Sequence, residues 1–379
     1  MKVVIITSFP FPDGKATANR VRVFAEELIK KRCAYEVNIV STTADKSASV
    51  AFTDKINILN LNVQIIDKNR LISRSLSELV IAFKLWSIAK KVKADIVIVT
   101  IPSPLLLIPM SIFPKPIKLI LDVRDAVWTY FPKSTLGGLP GILLRILFRM
   151  AAQKADLVSV TNSYEAKSVK AISGVEAIVV ANGISDANLK SLQSIELKSI
   201  QGKVNMTYIG NVGIAQELEI LTEFSKFYQK DTEINIVGDG ARLPNLKSKA
   251  INENVSNITF HGEVPADIVR HHLEASDVLF AQIGHSFQLA IPTKVFEYIA
   301  AGRKILLGLP EGPAKEVFRD FYGVEIFPVG NVECMKQSYE QLILQEFGGK
   351  ERKLNLDLLN SKYIRENGLT TLLSKLNNM

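Results

Sequence analysis

The chain has 379 residues, of which 47% are hydrophobic and 22% are charged. That composition excludes a wholly disordered chain, and the length predicts two domains of nearly equal size. The formal net charge of +8 favours anionic partners, such as nucleotide phosphates, anionic lipids or nucleic acid, without choosing among them. The two cysteines, Cys33 and Cys334, lack the companions of a zinc site or a disulfide framework, which fits a reducing cytoplasmic setting.

Two apolar stretches bear on targeting and membrane insertion. Val3–Ile6 is too short for the apolar core of a signal peptide and predicts a buried strand. Pro104–Val123 is interrupted by prolines and lysines, so it does not predict a membrane-spanning helix. We therefore expect a cytoplasmic protein without a transmembrane segment.

Short β-branched runs alternate with longer helical patterns in the first half of the chain, which is typical of a parallel sheet covered by helices. The predicted strands are Val3–Thr7, Glu36–Ser41, Val63–Ile66, Ile96–Thr100, Lys118–Asp122, Leu157–Thr161 and Ala177–Val180. Apolar residues recur every three or four positions in the predicted helices, which are Ala18–Lys31, Ser75–Val92, Leu139–Ala152 and Tyr164–Ala171. This half predicts one doubly wound domain.

The same alternation restarts after a polar stretch, Ser185–Gly202, that lacks a buried-strand pattern and suits a linker. The predicted strands are Asn205–Ile209, Ile234–Val237, Ile258–His261, Val278–Ala281, Lys304–Leu307 and Val324–Phe327. The predicted helices are Leu218–Tyr228, Leu243–Ile251, Ile268–Ala275, Val295–Ala301 and Ala314–Phe321. The second half therefore predicts a second doubly wound domain.

The fold class that follows is α/β, with two Rossmann-like doubly wound domains facing a central cleft. The expected boundaries are 1–184 for a first domain, 185–203 for a linker, 204–350 for a second domain, and 351–379 for a helix that crosses back to the first domain. Ligands of open α/β sheets generally bind at the carboxyl ends of the strands.

The strongest local signal is Pro292–Gly302, with the sequence PTKVFEYIAAG, which follows a predicted strand and a polar loop. Proline marks the amino end of a helix, where unpaired backbone N–H groups suit a diphosphate. Lys294 would add a positive charge, and Glu297, one turn on, would accept hydrogen bonds from ribose hydroxyls. The spacing also fits an amphipathic helix whose lysine and glutamate are solvated, and spacing alone favours that interpretation.

This segment resembles the P-[ST]-K-x-x-E-Y-x-A-x-G motif of a branch of the family 4 retaining glycosyltransferases, enzymes of the two-domain GT-B fold. Further segments that resemble this family in order and position are Val180–Ile184, Tyr208–Gly213 with Ala215 and Gln216, Ile236–Gly240, and Ile258–Gly262. The donor-binding residues that the resemblance implies are Gly14, Gly210, Asn211, Gly213, Gln216, Gly238, Gly240, His261, Pro292, Thr293, Lys294 and Glu297.

The chain departs from the wider family at two places. Many relatives carry arginine and lysine where this chain has Asn211 and Gln216, so the positive charge beside the leaving diphosphate must come from Lys294 or, less strongly, Arg303. Leu289 stands where the first of two glutamates spaced eight apart would be, and Glu297 matches the second. The branch that shares both departures builds bacterial surface polysaccharides, often from acetamido sugars.

The first domain supplies the other candidate residues. Gly14, at a strand-to-helix turn, would let the backbone approach the transferred sugar or the diphosphate. Arg20 and Arg22 lie on the next helix, as a solvated face or as phosphate or acceptor contacts. Arg124 and Asp125 belong to a D-x-R-D element resembling that of the branch: Arg124 would hold a phosphate or hydroxyl, and Asp125 would position the acceptor or accept its proton, or else form a capping or salt-bridged pair.

The segment 139–154 combines apolar residues with Arg145, Arg149 and Lys154, which predicts a basic amphipathic helix. Such a helix suits an anionic membrane surface and a lipid-linked acceptor, whereas packing of its apolar face into the core is an equally supported alternative.

The resemblance implies a metal-independent hexosyltransferase-type enzyme that needs no cofactor, with Lys294, Asp125 and Arg124 as catalytic residues. Residues 1–184 would then form the acceptor-side domain and residues 204–350 the nucleotide-sugar-binding domain. The enzyme would transfer the sugar part of a UDP-linked acetamido or deoxy sugar to a glycan or lipid-linked acceptor in O-antigen or capsule synthesis. Two alternatives remain on the same architecture, a sugar-nucleotide 2-epimerase and a non-catalytic solute-binding protein. No nucleic-acid-binding module accompanies the basic charge, so nucleic acid is not expected as a partner.

Overall fold

A computed structural model describes residues 1–12, 16–43, 50–63, 71–101, 103–124, 126–130, 139–197 and 201–377. The chain forms two compact units, the first comprising Met1–Asn182 with Arg365–Met379 and the second Gly183–Ile364. Each unit is built on its own sheet with helices around it.

The first unit contains a sheet whose described strands run in the order β3-β4-β2-β1-β5-β6-β7-β8, with β3 alone antiparallel to its neighbour. Its strands are β1 (Lys2–Pro10), β2 (Glu36–Thr43), β3 (Val50–Thr53), β4 (Ile56–Asn62), β5 (Ile96–Ile101), β6 (Lys118–Val123), β7 (Leu157–Val160) and β8 (Ala177–Val179). Its helices are α1 (Ala16–Lys30), α2 (Leu71–Lys91), α3 (Leu107–Ile112), α4 (Leu139–Lys154), α5 (Ser163–Ser173) and α14 (Arg365–Asn377). All six residues of β5 are buried, as expected for a central parallel strand covered on both faces.

The second unit contains a parallel sheet in the order β11-β10-β9-β12-β13-β14 over its described strands. These strands are β9 (Val204–Ile209), β10 (Thr232–Val237), β11 (Ile258–Gly262), β12 (Val278–Gln282), β13 (Lys304–Leu309) and β14 (Val324–Pro328). The helices are α6 (Asp186–Leu192), α7 (Ile220–Ser225), α8 (Leu243–Asn252), α9 (Ala266–Ala275), α10 (Lys294–Ala300), α11 (Pro313–Phe318), α12 (Val332–Leu344) and α13 (Gly349–Lys362). The chain moves outward from β9 to β11 and then returns to β12, so the strand order reverses between β9 and β12.

Of the strand predicted at Val63–Ile66, residues 64–66 lie outside the described part. The structure has a strand that was not predicted, β4 at Ile56–Asn62. The sequence of β4 is INILNLN. Because asparagine is rare in strands, this sequence does not show a clear strand pattern. Here the polarity is satisfied across the sheet, since Ser41 donates a hydrogen bond of 2.6 Å to the Asn60 side chain.

The segment 185–203, expected as a linker, differs from that expectation. It contains α6, and Leu189 and Ile195 are buried in the core of the second unit. Arg270 donates hydrogen bonds to the Ser191 carbonyl and the Ser194 hydroxyl, which fasten the segment to α9. A short polar helix with two core contacts leaves too weak a periodicity to be recognised.

The predicted tail helix is two helices in the structure. α13 belongs to the second unit, where Leu359 is buried, while α14 belongs to the first unit and packs against α1. The leucines of α14 that enter the core of the first unit are Leu369, Leu372, Leu373 and Leu376. Their spacing of three and four residues places them on one face of the helix.

Candidate functional site

The candidate site lies at the carboxyl edge of the second sheet, where the strand order reverses between β9 and β12. Ligands of open α/β sheets bind in such crevices because the loops after the two strands diverge there. The loop after β9 is 210–217, and the loop after β12 is 283–293, followed by α10. Gly210, Asn211, Gly213 and Gln216 lie in the first loop, and Pro292, Thr293, Lys294 and Glu297 lie in or just after the second.

The glycine-rich turn after β9 packs backbone to backbone against the turn after β10. The N–H of Gly210 donates to the Val237 carbonyl, and the N–H of Val212 donates to the Asp239 carbonyl, both at 2.9 Å. A Cβ on Gly238 (φ +135°) would lie 1.8 Å from the Gly210 oxygen, and one on Gly240 would lie 2.3 Å from the Val212 oxygen. Glycine is therefore required at both positions by close approach.

Asn211 and Gln216 use their side chains within their own turn. The Gln216 amide oxygen accepts a hydrogen bond from the Gly213 N–H at 3.2 Å, and the Asn211 amide lies 3.5 Å from the same oxygen. The two amides shape the loop without bringing any charge to it. This agrees with the expectation that the cation of the site comes from elsewhere.

Gln282, the last residue of β12, joins the two loops. Its side chain is 2% exposed, and its amide nitrogen donates to the carbonyls of Gln216 and Glu217 at 3.1 and 2.9 Å. The N–H of Gly284 adds a third link, at 2.8 Å, to the Ala215 carbonyl. Sequence reasoning missed Gln282, although a lone polar residue ending the apolar run VLFAQ is a usable signal.

Lys294 and Glu297 form an ion pair of 2.9 Å on the first turn of α10. Their side chains are 41% and 27% exposed, and Pro292 and Thr293 are also only partly buried, so no protein layer covers this helix end within the unit. α10 has seven residues, and its aligned peptide dipoles are correspondingly few. The positive charge at this edge therefore comes chiefly from the Lys294 ammonium group.

Tyr298 fixes α10 to the end of β9. Its hydroxyl accepts a hydrogen bond from the Ile209 N–H at 2.9 Å and donates one to the Ile209 carbonyl at 3.0 Å. The ring is fully buried, and that burial raises the pKa of the phenol well above its usual range, so the hydroxyl stays protonated. Sequence reasoning missed this contact because a tyrosine on the apolar face of a helix is indistinguishable from an ordinary core residue.

His261 lies at the end of β11, but its side chain turns toward α9. Its Nε2 is 2.8 Å from the Asn235 side-chain oxygen, and its ring centroid is 4.5 Å from that of His272. Burial, followed by the neighbouring His261 and His271, lowers the pKa of His272. The side chain of His261 is therefore engaged with its neighbours in the sheet and helix.

Arg303 is excluded as a cation for the leaving group. It immediately precedes β13 and therefore lies at the amino edge of the sheet, opposite the crevice. Its guanidinium is 4% exposed and donates to the carbonyls of Leu273, Glu196 and Glu274 at 2.8–2.9 Å. The expectation was wrong because sequence proximity to the helix did not reveal that the chain reverses direction between α10 and β13.

In the first unit, Arg20 is neither a solvated residue nor a ligand contact. Its guanidinium is 2% exposed and pairs with the Asp122 carboxylate through two hydrogen bonds of 3.0 and 2.7 Å. It also donates to the Val180 carbonyl and the Asn182 side chain. This buried group joins α1, β6 and the segment after β8.

Asp122 receives further hydrogen bonds from the hydroxyls of Thr100 and Ser159. Burial alone would raise the pKa of Asp122, but the charge and hydrogen bonds of Arg20, with the Ser159 hydroxyl and the charge of Arg124, hold it below its usual value. The carboxylate is therefore ionised, and its hydrogen bonds are all made within the protein.

Two of the remaining candidate residues of the first unit are described by the structure and two are not. Arg124 follows β6 and is half-buried, and the Arg22 guanidinium lies 5.4 Å from the centre of the Phe52 ring. Gly14 and Asp125 lie outside the described residues. The roles expected of Arg124, Asp125 and Gly14 stay predictions.

The predicted helix at 139–154 is confirmed as α4, but its basic residues differ from expectation. Lys154 donates to the carbonyls of Met110, Ser111 and Phe113 at the end of α3, and Arg145 donates to the Trp128 carbonyl. Arg149 is exposed. The apolar residues that share this exposed face are Ile142, Leu143, Ile146 and Met150, each 47–58% exposed. In the described part of the chain, no helix is both long and apolar enough to cross a bilayer.

Comparisons with known proteins agree with this geometry. Residues 203–344 match the family model described as glycosyl transferases group 1. The probable glycosyltransferase WbjE of Pseudomonas aeruginosa is 26% identical over 268 residues, which span 65% of this chain and 66% of that protein. The matched region is thus slightly less than two thirds of the relative's length.

Two solved structures share the fold over almost their whole length. The lipopolysaccharide outer core galactosyltransferase WaaB superposes with a TM-score of 0.66 at 12% identity, covering 99% of this chain and 100% of that one. A trehalose-6-phosphate protein of E. coli bound with UDP-2-fluoro glucose gives 0.72 at 9% identity, covering 100% and 99%. The chain therefore has the GT-B fold, and the match to the glycosyl transferases group 1 model lies within its second unit.

Proposed function

We propose that the chain is a retaining glycosyltransferase that takes a sugar from a nucleotide diphosphate donor held by the second unit. The observation that carries the proposal is the carboxyl edge of the second sheet, where two glycine-lined turns and the partly exposed Lys294–Glu297 pair lie at the same edge, within the region matched by the glycosyltransferase model. This match favours a transferase over a solute-binding protein or a 2-epimerase.

The diphosphate and the ribose of the donor contact different residues at this edge. In the turn at Gly210–Gly213, the N–H groups of Gly210, Val212 and Gly213 already donate within the protein, so the exposed Asn211 makes the proposed contact of this turn with the phosphate oxygens. Lys294 stabilises the negative charge that develops on the leaving diphosphate, and Glu297 accepts hydrogen bonds from the ribose hydroxyls. On donor binding, Lys294 exchanges part of its contact with Glu297 for the phosphate.

The transfer step moves the sugar from the diphosphate oxygen to an acceptor hydroxyl. The acceptor oxygen attacks the anomeric carbon from the face that the diphosphate leaves, which retains the anomeric configuration. Asp125 positions the acceptor or takes its proton, and Arg124 holds a phosphate or a sugar hydroxyl. We propose that no metal ion or cofactor takes part.

The proposed donor is a UDP-linked acetamido or deoxy sugar, and the proposed product belongs to a bacterial surface polysaccharide such as O-antigen or capsule. The branch resemblance supports this assignment. The fold neighbour bound with UDP-2-fluoro glucose and the lipopolysaccharide galactosyltransferase are consistent with it.

The acceptor is proposed to be a glycan or a lipid-linked glycan, reached from a cytoplasmic position at the inner face of the membrane. The exposed face of α4 supports this, because four large apolar side chains beside Arg149 suit the boundary of an anionic bilayer. Sedimentation with phosphatidylglycerol vesicles tests it. Retention of binding after Ile146→Glu with Arg149→Glu would remove the membrane proposal and leave the transferase proposal standing.

A thermal-shift panel tests the donor first. It contains UDP, UDP-glucose, UDP-galactose, UDP-N-acetylglucosamine, UDP-N-acetylgalactosamine and GDP-mannose. At a concentration one hundred times Kd, a bound donor stabilises the fold by about 2.7 kcal/mol. The best stabiliser is then incubated with and without a lipid-linked acceptor: transfer that requires the acceptor is expected, whereas isomerisation of the sugar without acceptor supports the epimerase, and no stabilisation by any member contradicts both.

A further inference from the structure

Glu217 holds a backbone conformation that side chains rarely adopt. Its φ is +44°, in the left-handed region, where a residue with a Cβ is strained and glycine is not. It ends the loop after β9, directly beside the reversal of strand order. Such strain persists only where surrounding structure enforces it.

Two neighbours enforce this conformation. The Glu217 carbonyl accepts a hydrogen bond of 2.9 Å from the buried amide of Gln282. The side chain extends across to the loop after β12, where a Cβ on Gly284 would lie 2.1 Å from the carboxylate oxygen Oε1 and 2.5 Å from Cδ. Glycine at 284 therefore leaves the space in which the carboxylate lies.

The carboxylate of Glu217 also has no hydrogen-bond or ion-pair partner within the described part of the chain. The loops 210–217 and 283–293 together with Lys294–Glu297 contain two acidic residues, Glu217 and Glu297. Glu297 is paired with Lys294, whereas within the described part of the chain the Glu217 carboxylate forms no hydrogen bond or ion pair. A carboxylate accepts several hydrogen bonds and donates none, so it repels phosphate and suits neutral donors such as hydroxyl and amide N–H groups.

We propose that Glu217 determines donor specificity by accepting hydrogen bonds from hydroxyl or amide N–H groups on the sugar that is transferred. The assignment rests on the proposed donor site and adds the recognition of the sugar to that of the diphosphate. Lys294 and Glu297 bind the nucleotide part from α10, while Glu217 reaches the sugar from the opposite loop. The strained backbone is retained because it aims the carboxylate across the crevice.

The test compares Glu217→Gly and Glu217→Gln with the wild type, using UDP and the best nucleotide-sugar stabiliser of the panel above. Glu217→Gly relieves the strain, so its melting temperature is expected to rise by about 2–4 °C. In contrast, kcat/KM for the nucleotide sugar falls by at least about tenfold, since the hydroxyl or N–H groups of the sugar lose their acceptor. Glu217→Gln keeps the shape and loses the charge, and gives a smaller fall.

The affinity for UDP alone distinguishes sugar recognition from a general defect of the site. UDP carries no transferred sugar, so its Kd is expected to change by less than about twofold in both variants. Lys93→Gly is the matched control, because Lys93 also has a left-handed φ, of +52°, and lies in the first unit after α2. It should gain melting temperature without any kinetic change.

Two results overturn the proposal. In one, Glu217→Gly keeps the wild-type kcat/KM; in the other, UDP affinity falls together with kcat/KM, which would make Glu217 a support of the loop. Failure of the underlying donor site looks different, because the wild type itself would then bind neither UDP nor any nucleotide sugar, and both proposals would fall.

Discussion

The carboxyl edges of the two sheets use their polar residues in opposite ways. In the first unit, Arg20 and Asp122 are buried, and they pair with each other and form hydrogen bonds with neighbouring groups. In the second unit, Lys294 and Glu297 are partly exposed at an edge lined with glycine. Charged residues at a strand end are thus ambiguous from sequence, and burial decides whether they stabilise the fold or remain accessible to a ligand.

The largest expected effect is on the buried pair. Asp122→Asn keeps the volume of the side chain but leaves the Arg20 guanidinium buried without a counter-charge, which costs about 3–5 kcal/mol. Urea unfolding followed by circular dichroism measures this loss. Glu176→Gln breaks the exposed Lys170–Glu176 pair of the same unit and should change stability by less than about 1 kcal/mol. Equal losses in the two variants would contradict the contrast between buried and exposed pairs.

The next effect is on turnover. Lys294→Met should lower kcat by about 10²–10³-fold, because it removes the cation beside the leaving diphosphate, while stability changes by less than about 1 kcal/mol. Lys336→Met is the control, since Lys336 forms a similarly spaced pair with Glu333 on α12 of the same unit. A steady-state transfer assay measures kcat for both variants. Unchanged kcat in a folded Lys294→Met protein would remove Lys294 from the reaction.

A smaller effect is expected at Tyr298. Tyr298→Phe leaves the N–H and carbonyl of Ile209 buried without their partner, at a cost of about 1–3 kcal/mol, and loosens α10 against β9. The KM for the donor should rise. Tyr339→Phe also removes a buried hydroxyl contact, to Thr232, and should cost stability without a change in KM. If both variants shifted KM alike, Tyr298 would have no special part in positioning the site.

The pH dependence gives the finest comparison. The pKa of Asp122 is lower in the folded protein than in the unfolded chain, so its contribution to stability is present above the unfolded pKa of about 3.9 and is lost as the pH falls toward the folded pKa. Each unit of that difference corresponds to about 1.4 kcal/mol. The difference in unfolding free energy between wild type and Asp122→Asn should therefore narrow by about 1 kcal/mol from pH 7 to pH 3. A constant difference would show that protonation of Asp122 is not involved.

Much of the architecture follows from periodicity, and the exceptions have physical causes. All six described strands of the second sheet are predicted. The central strands β12 and β13 are the clearest, because parallel strands buried on both faces read as continuous apolar runs. The strand β4 is missed since its asparagines are satisfied by side chains of the neighbouring strand. Helix α6 is missed because only two described residues of its segment, Leu189 and Ile195, are fully buried, while Leu192 packs against the core from a partly exposed position.

The site is only partly readable from the sequence. Residue types and spacing identify the glycines and the Lys294–Glu297 pair, since close approach and charge have local signatures. The sequence does not reveal that Arg20, Arg303 and Lys154 bind within the protein, because their partners are backbone carbonyls or side chains distant in sequence. Gln282 and Glu217 are missed because each acts through a contact with the other loop, and Tyr298 because its contact joins α10 to the end of β9.

Hydrogen–deuterium exchange with and without UDP tests whether the second unit holds the nucleotide, because it reports which backbone amides a bound nucleotide protects. We expect UDP to slow exchange in peptides covering 210–217 and 283–297, while exchange in peptides around Arg20 and Asp122 stays unchanged. Protection elsewhere in the chain, with those two segments of the second unit unchanged under saturating UDP, would contradict a donor site at this edge.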